Sequence, residues 1–272
     1  MFTKEELKDR LKITAQLLNS SEKSFKDDDF TTRIAEEVWL EVKGYPIPEH
    51  FTVEEKKYWL TELMPIARSR RKSEFNFKFY KKFDVSEIKK ELLQLDPKFW
   101  KINQHRQKSY YIHKDTETLG NTLFSMFYRE NDPFIVKKNN FIPKPIQIKT
   151  DEIISELENE FDGKVLISGY TKLMPGGLIP PHVDDILYFK KVKRFQIAVY
   201  TNPCVYFNVG SENKVFEEGE CCQIDNTIIH SVENRGETPR INLIVDIMPW
   251  ENIKGDYTIK ESRKSKDYFN DT

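Results

Sequence analysis

Four short segments in the second half of the chain decide the fold: FQIAVYT at 195–201, VYFNV at 205–209, CCQI at 221–224 and RINLIVDI at 240–247. Each segment is rich in β-branched or aromatic residues, and Gly, Asn and Pro separate one from the next. Val165–Ile167 begins the series. Short strands at this spacing, without the helical segments that βαβ units need, predict an antiparallel sandwich or jelly roll.

The first half of the chain has a helical pattern. Apolar residues recur at helical spacing in Glu5–Leu18, Thr31–Val42 and Thr150–Phe161. Thr52 with Glu55 fits a capping box at the start of a further helix.

A second N-terminal cap is predicted at Asp84 with Glu87. The stretch Pro133–Pro145 contains Pro and Asn and is the best candidate for a boundary between two structural parts of the chain. We therefore predict an α+β protein in two parts. Residues 1–150 form a mainly helical region that packs on the core and can contribute to a substrate pocket. Residues 151–272 form a double-stranded β-helix, which is a jelly roll, and end in a short polar tail.

The charge balance and the hydropathy restrict the partners. Lys and Arg total 43 against 44 for Asp and Glu, which gives a formal net charge of −1. Nucleic-acid binding needs a basic surface, so this balance argues against such a partner. Met1–Arg10 is too polar for a secretory segment, and no apolar run approaches the ~18 residues of a membrane span. We expect no membrane partner and a cytoplasmic location, and the sequence leaves the oligomeric state open.

The three cysteines point to a reducing compartment. Cys204, Cys221 and Cys222 form no CxxC pair, and any disulfide leaves one of them over. Cys221 and Cys222 are adjacent in a predicted strand, so their side chains should point to opposite faces. We interpret all three as reduced, small apolar residues.

Three residues in the second half of the chain form a candidate metal site. His182 and Asp184 are two residues apart, and in extended backbone their side chains leave the same face. His230 follows 48 residues after His182. Two imidazoles and one carboxylate on one face of a metal suit non-haem Fe(II), because three coordination positions stay open. A closed structural zinc site would use four protein ligands.

Arg240 begins the apolar strand that follows His230. A guanidinium that enters a sandwich interior needs an anion, and it binds a carboxylate through two parallel hydrogen bonds. A dicarboxylic cofactor would supply that carboxylate. Asn242 shares the face of Arg240 and is placed to brace it.

These residues resemble a known family. The matching segments are TKLMPGGLIPPH at Thr171–His182, FEEGE at 216–220, IDN at 224–226, HSVEN at 230–234 and RINLIVD at 240–246. They resemble the aspartyl/asparaginyl β-hydroxylase family, a branch of the Fe(II)- and 2-oxoglutarate-dependent dioxygenases built on a cupin-like double-stranded β-helix. The likeness covers about Val165 to Trp250.

The resemblance implies roles for individual residues. His182 and His230 match the iron ligands of the family. Arg240 matches the arginine that binds the far carboxylate of 2-oxoglutarate, and Thr171 matches a hydroxyl residue that assists it. Some animal members have Gly where this chain has Asp184. The third ligand argues against halogenation, because halogenating relatives vacate that position for chloride.

Arg194 and Gln196 match an Arg-x-His pair near the cofactor in the family. This chain has Gln196 where the family has His, so it departs from the family pattern at this position. With Asn242, these two residues complete the set that we expect to contact the cofactor.

The implied activity is hydroxylation of an unactivated C–H bond, with O2 as co-substrate and succinate and CO2 as co-products. We expect a small molecule such as an amino acid or its derivative as substrate. A protein or peptide Asp, Asn or Pro side chain is the alternative. Two other classes also fit a metal-binding jelly roll, a cupin isomerase or lyase and a non-catalytic ligand-binding protein. The isomerase or lyase would bind a metal equally well but would not need Arg240 beside a cofactor cavity.

Overall fold

Strands dominate the chain after Phe161, as the apolar runs predict. The computed structural model describes Glu5 and residues 28–101, 114–124, 135–138, 142–184, 190–252 and 260–262. Apart from Glu5, the predicted helix Glu5–Leu18 lies outside the described residues.

Five α-helices are described: α1 (Asp28–Lys43), α2 (Val53–Arg70), α3 (Ser86–Gln94), α4 (Pro97–Lys101) and α5 (Lys144–Glu160). The capping box at the start of α2 is confirmed, since the Glu55 backbone N–H donates to Thr52 Oγ1 and the Thr52 N–H donates to Glu55 Oε2. Among these helices, none combines the length and the apolarity that crossing a bilayer requires.

The predicted cap at Asp84 with Glu87 is wrong. The N-cap position of α3 is Val85, which makes no side-chain capping bond. Asp84 Oδ1 instead accepts hydrogen bonds from the backbone N–H of Ser86 at 3.0 Å and from Ser86 Oγ at 2.6 Å. The Asp84 carboxylate therefore bonds to the first residue of α3 from one position before the N-cap, and it does not form the predicted capping box with Glu87.

Eleven strands are described, and their bounds are β1 (Phe77–Lys82), β2 (Lys114–Phe124), β3 (Ile135–Lys138), β4 (Gly163–His182), β5 (Lys193–Tyr200), β6 (Val205–Val209), β7 (Glu212–Lys214), β8 (Glu220–Ile224), β9 (His230–Asn234), β10 (Arg240–Pro249) and β11 (Lys260–Ser262). The major sheet has the order β1-β8-β5-β10-β4-β2-β3-β11, and β9, β6 and β7 form a minor sheet. All pairs are antiparallel except β11 with β3.

Strand β4 joins the two sheets. Its first half pairs with β10 as far as Leu173, and its second half pairs with β9 from Leu178. Between them Gly176 has a φ of 72°, a left-handed conformation that favours glycine. The two sheets face each other across this bend, which confirms the α+β class with a double-stranded β-helix.

The major sheet is buried on both faces. Its outer face packs on α3, α4 and α5 through a core that includes Trp100, Leu157 and Leu243. Its inner face packs on the minor sheet through Leu173 and Phe207. Cys221 belongs to the outer core and Cys222 to the inner one, and both thiols are free. The predicted opposite orientation of their side chains is confirmed.

Helices α1 and α2 form a hairpin with a hydrophobic cluster of its own, which includes Val38, Trp39 and Leu60. Edge-on ring contacts support it, with Trp39 at 5.4 Å from both Phe51 and Trp59 between ring centroids.

Residues 1–150 contain more strand than the helical spacing predicts. Strands β1, β2 and β3 lie in this part of the chain and all belong to the major sheet. Helix α5 begins at Lys144, six residues before the expected start at Thr150, and so crosses the predicted boundary. Strand β11 lies in the segment expected to be a polar tail. Pairing within the sheet, rather than local alternation, brings these segments into strands.

Candidate metal and cofactor site

Two neighbouring strand ends bring the predicted ligands together. His182 is the last residue of β4, His230 is the first residue of β9, and the two are register partners. Their ring centroids lie 4.2 Å apart. Asp184 follows at once after β4, with Oδ1 at 3.8 Å from His182 Nε2 and Oδ2 at 3.8 Å from His230 Nε2. The three ligating atoms all lie within 4.8 Å of one another, which is the spacing of groups that share one metal ion.

Backbone carbonyls orient both imidazoles. His182 Nδ1 lies 2.8 Å from the Pro180 carbonyl oxygen, and His230 Nδ1 lies 2.9 Å from the Ile228 carbonyl oxygen. Because a carbonyl only accepts, Nδ1 carries the proton in each ring and Nε2 keeps its lone pair for a metal. Burial also lowers the pKa of His230 to about 4, so its ring is neutral at neutral pH.

Asp184 is held as a carboxylate. Burial by itself raises the pKa of Asp184, but the Arg194 charge, the two neighbouring imidazoles and the hydrogen bond from Asn226 together outweigh burial, and the pKa lies below its ordinary value. Asp184 Oδ2 accepts from Arg194 Nη1 at 2.5 Å and from Asn226 Nδ2 at 3.3 Å. The Asp184 N–H donates to the Asn226 carbonyl at 3.0 Å, which positions the chain just beyond β4.

Arg194 binds a second carboxylate on its other side. Nε donates to Asp246 Oδ1 at 2.7 Å and Nη2 donates to Asp246 Oδ2 at 2.8 Å. Asp246 is 0% exposed and is the register partner of Arg194 across β5 and β10. The resemblance implied that Arg194 contacts the cofactor, whereas in the structure its three guanidinium nitrogens reach the carboxylates of Asp184 and Asp246.

Arg240 is a buried cation with no carboxylate partner among the described residues. It is 4% exposed, and its Nη1 lies 3.5 Å from Thr171 Oγ1. Its guanidinium carbon lies 5.6 Å from the centre of the Phe207 ring. Burial lowers the pKa of Arg240 to about 9, which leaves it charged at neutral pH. Within the described part of the chain no carboxylate lies within ion-pair distance of Arg240, so a buried charge stands uncompensated unless an anion binds there.

Gln196 and Asn242 lie between the two arginines on the same inner face, where Asn242 Nδ2 donates to Gln196 Oε1. We call Arg194, Gln196, Asn242 and Arg240 the inner polar row. Asn242 Oδ1 is buried and has no hydrogen-bond partner among the described residues. The row has the predicted metal ligands beside one end and, at the other, a buried cation that pairs with no described carboxylate, which fits an elongated dianion such as 2-oxoglutarate.

Two residues of the site, Asp246 and Asn226, were not predicted from the sequence. Asp246 carried a usable signal, because it is in phase with Arg240 and Asn242 in an otherwise apolar strand. A buried charge at that position must have a partner. Asn226 carried none, since an Asn in a turn between strands is ordinary.

Comparison with known proteins gives a family. Residues 82–249 match the family described as Aspartyl/Asparaginyl beta-hydroxylase. Comparison with curated proteins gives no match.

Several solved structures are partly similar. A prolyl-4-hydroxylase of Pseudomonas putida is 8% identical, with 65% of this chain and 94% of that chain covered and a TM-score of 0.40. The collagen prolyl hydroxylase of Paramecium bursaria Chlorella virus-1 is 12% identical, with 65% and 97% covered and a TM-score of 0.37. SnoN, an epimerase of nogalamycin biosynthesis, is 12% identical, with 67% and 80% covered and a TM-score of 0.40.

The matched span takes in most of the jelly roll, from the end of β1 to the end of β10, and amounts to more than half of the chain. It contains the His182, Asp184 and His230 cluster and the inner polar row. The chain therefore belongs to the aspartyl/asparaginyl β-hydroxylase family of Fe(II)- and 2-oxoglutarate-dependent dioxygenases.

Proposed function

We propose that His182, Asp184 and His230 coordinate Fe(II), that Arg240 and Thr171 bind the far carboxylate of 2-oxoglutarate, and that the enzyme hydroxylates a small molecule such as an amino acid. One observation supports this assignment above the others. Arg240 is a buried cation with no carboxylate partner among the described residues. It belongs to the inner polar row, which leads to the proposed metal ligands. A protein keeps such a charge where a ligand completes the pair.

Each residue has a defined task in this reaction. Bound Fe(II) and 2-oxoglutarate supply the oxidising power, with O2 as co-substrate and succinate and CO2 as co-products. His182, Asp184 and His230 would hold the ion from one side and would leave coordination positions for the co-substrates. The Pro180 and Ile228 carbonyls hold the Nδ1 side of each imidazole, so that Nε2 would be available to the metal. The buried interior excludes water from the reacting groups.

Succinate release tests the assignment of the ligands. The purified protein is incubated with Fe(II), ascorbate and 2-oxoglutarate, and the His182→Ala variant is run beside it. We expect slow succinate release from the parent and none above background from the variant, which should also lose Mn(II) affinity. Equal Mn(II) binding by the variant would show that the ligand set is wrong. Tight metal binding by the parent without succinate would favour a cupin isomerase or lyase.

A charged groove supports a small zwitterionic substrate. It has a volume of about 500 Å³ and is lined by Glu37, Leu40, Glu41, Arg71, Lys72, Lys190 and Thr227. Thr227 connects it to the metal site along the chain. The preceding residue, Asn226, bonds to Asp184, and the carbonyl of the following residue, Ile228, accepts from His230.

Two ionisable groups of opposite type in the groove, Glu37 and Lys72, form no ion pair with a described residue, although Lys190 and Lys191 lower the pKa of Glu37. Arg71 and Lys190 both pair with Glu41. Glu37 and Lys72 have no hydrogen bond or ion pair in the described part of the chain. Burial raises the pKa of Glu37 to about 7, so a cation placed beside it would favour its ionised form. An amino acid carries an ammonium for Glu37 and a carboxylate for Lys72.

Stimulation of 2-oxoglutarate turnover tests this substrate class. Free amino acids and their N-acetyl derivatives are compared as activators of succinate release. We expect a free amino acid to stimulate, its N-acetyl derivative to fail, and Glu37→Gln to raise the KM for the amino acid. Peptides that stimulate where free amino acids do not would instead support hydroxylation of a protein Asp, Asn or Pro side chain.

A further inference from the structure

Arg194 forms ion pairs with two carboxylates that have different roles. On one side is Asp184, a proposed metal ligand, and on the other is Asp246, which is wholly buried in the middle of the major sheet. The two parallel bonds to Asp246 fix the plane of the guanidinium, as a fork-to-fork pair does. With Nε and Nη2 committed to Asp246, Nη1 is left to meet Asp184 Oδ2.

The two oxygens of Asp184 are in different environments. Oδ2 accepts from both Arg194 Nη1 and Asn226 Nδ2. Oδ1 accepts no hydrogen bond from any described residue, and it lies 3.8 Å from His182 Nε2. A carboxylate with donors on one oxygen and none on the other presents a single oxygen to a cation.

We propose that Arg194, anchored by Asp246, is a positioning residue that holds Asp184 as a one-oxygen metal ligand, and that it does not bind 2-oxoglutarate. This inference rests on the proposed role of Asp184 as a metal ligand. Asn226, in the turn between β8 and β9, donates to the same oxygen. Because Oδ2 is occupied by its donors, the carboxylate takes one coordination position and leaves the next one for a co-substrate.

The electrostatics of the cluster agree with this role. Asp246 and Asp184 bring two negative charges, and Arg194 brings one positive charge. The net charge of −1 that remains partly offsets that of a divalent cation. Without Arg194, Asp246 would be a buried carboxylate that has lost its principal charge partner. The pair therefore maintains the fold of the inner face and the orientation of the ligand together.

Measuring metal affinity and cofactor affinity separately distinguishes a positioning role of Arg194 from a role as a 2-oxoglutarate ligand. The dissociation constant of Mn(II) is measured from the EPR signal of free Mn(II), and that of 2-oxoglutarate is then measured at saturating Mn(II). In Asp246→Asn and in Arg194→Lys we expect Mn(II) to bind about 10- to 100-fold more weakly, as for other residues that orient metal ligands. The affinity for 2-oxoglutarate at saturating Mn(II) should stay within about threefold of the parent, because neither variant removes a group that contacts the cofactor.

A control separates this effect from lost stability. Glu158→Gln removes a half-buried ion pair with Lys164 at the start of β4, so it should lower the melting temperature and leave Mn(II) affinity unchanged. The visible spectrum of the Co(II)-loaded protein should change in Arg194→Lys and stay the same in Glu158→Gln. If Asp246→Asn does not fold, Arg194→Lys gives the answer alone.

Two results would contradict the positioning role of Arg194, and a third would contradict the role of Asp184 as a metal ligand, on which the inference rests. Parent-like Mn(II) binding in Arg194→Lys would show that Asp184 does not depend on Arg194. A weakened 2-oxoglutarate affinity with unchanged Mn(II) affinity would make Arg194 a cofactor ligand, as the family resemblance implies. Parent-like Mn(II) binding in Asp184→Ala would instead refute the proposed ligand set itself.

Discussion

Arg240 is buried and pairs with no carboxylate in the part of the chain that the structure describes, so its removal should act on the cofactor and spare the metal. Loss of one partner of a buried, hydrogen-bonded ion pair costs about 2–5 kcal/mol. Arg240→Ala should therefore raise the dissociation constant of 2-oxoglutarate on the order of 30-fold or more. Calorimetric titration of the Mn(II)-loaded protein with 2-oxoglutarate measures this change.

Arg240→Lys is the matched variant. It keeps the charge and loses the two-pronged geometry, so its affinity should lie between those of the parent and the Ala variant. Mn(II) affinity should be equal in all three proteins, because Arg240 contacts none of the proposed ligands. An Ala variant that binds 2-oxoglutarate like the parent would show that the carboxylate is bound elsewhere.

Cys221 and Cys222 should be unreactive in the folded protein. Both side chains are buried, and burial raises the pKa of the Cys222 thiol to about 12 and that of Cys221 further still. Since the thiolate is the reactive form, iodoacetamide should modify neither thiol before unfolding. Peptide mass spectrometry with and without denaturant checks this expectation, and Cys204, which is partly exposed, serves as the internal comparison. Rapid labelling of Cys222 under native conditions would contradict it.

At the scale of the element, α5 connects the helical layer to the major sheet. Leu157 is 0% exposed and belongs to the outer core, whereas Ile148 on the same helix is 57% exposed. Leu157→Ala should lower the free energy of unfolding by about 2–5 kcal/mol, because it leaves a cavity in a packed layer. Ile148→Ala should change it by less than about 0.5 kcal/mol.

Urea denaturation of both variants measures the difference. Comparable midpoints for Leu157→Ala and Ile148→Ala would show that α5 does not pack on the sheet in solution. The variant pair also controls for helix propensity, since both substitutions place Ala in the same helix.

At the scale of the whole molecule, the jelly roll depends on strands and helices from the first half of the chain. Phe77 on β1 packs edge-on against Phe207 and Phe216 of the inner core, at 5.7 and 5.9 Å between ring centroids. Helices α3 to α5 cover the outer face. We therefore expect limited proteolysis to yield no stable, folded fragment that begins near Lys164, because both faces of the sheet would lose part of their cover.

The α1–α2 hairpin provides the comparison. Since its hydrophobic cluster is its own, a chain that begins just before β1 should remain folded and bind Mn(II), although it loses the charged groove. Circular dichroism and Mn(II) titration are applied to this chain and to a chain that begins at Lys164. They show which of the two remains folded and binds metal. A folded, metal-binding chain from Lys164 onward would show that the β-helix is an independent domain.

The features that depend on local spacing were readable from the sequence. The segments rich in β-branched residues predicted the strands of the jelly roll, because a strand buried on both faces is apolar along its length. His182 and Asp184 were predicted to converge because alternate residues of extended chain share a face. The same alternation placed Arg240 and Asn242 together on the inner face of β10.

Only the tertiary structure decided what pairs with what. Arg194 and Asp246 lie 52 residues apart and meet because β5 and β10 are neighbours in the sheet. Strands β1, β2 and β3 arise in a region with helical spacing because the edges of the sheet supply their hydrogen-bonding partners. Local alternation determines which face of a segment is buried. The order of the strands determines which side chain it meets there, and that order is set by contacts between residues far apart in the chain.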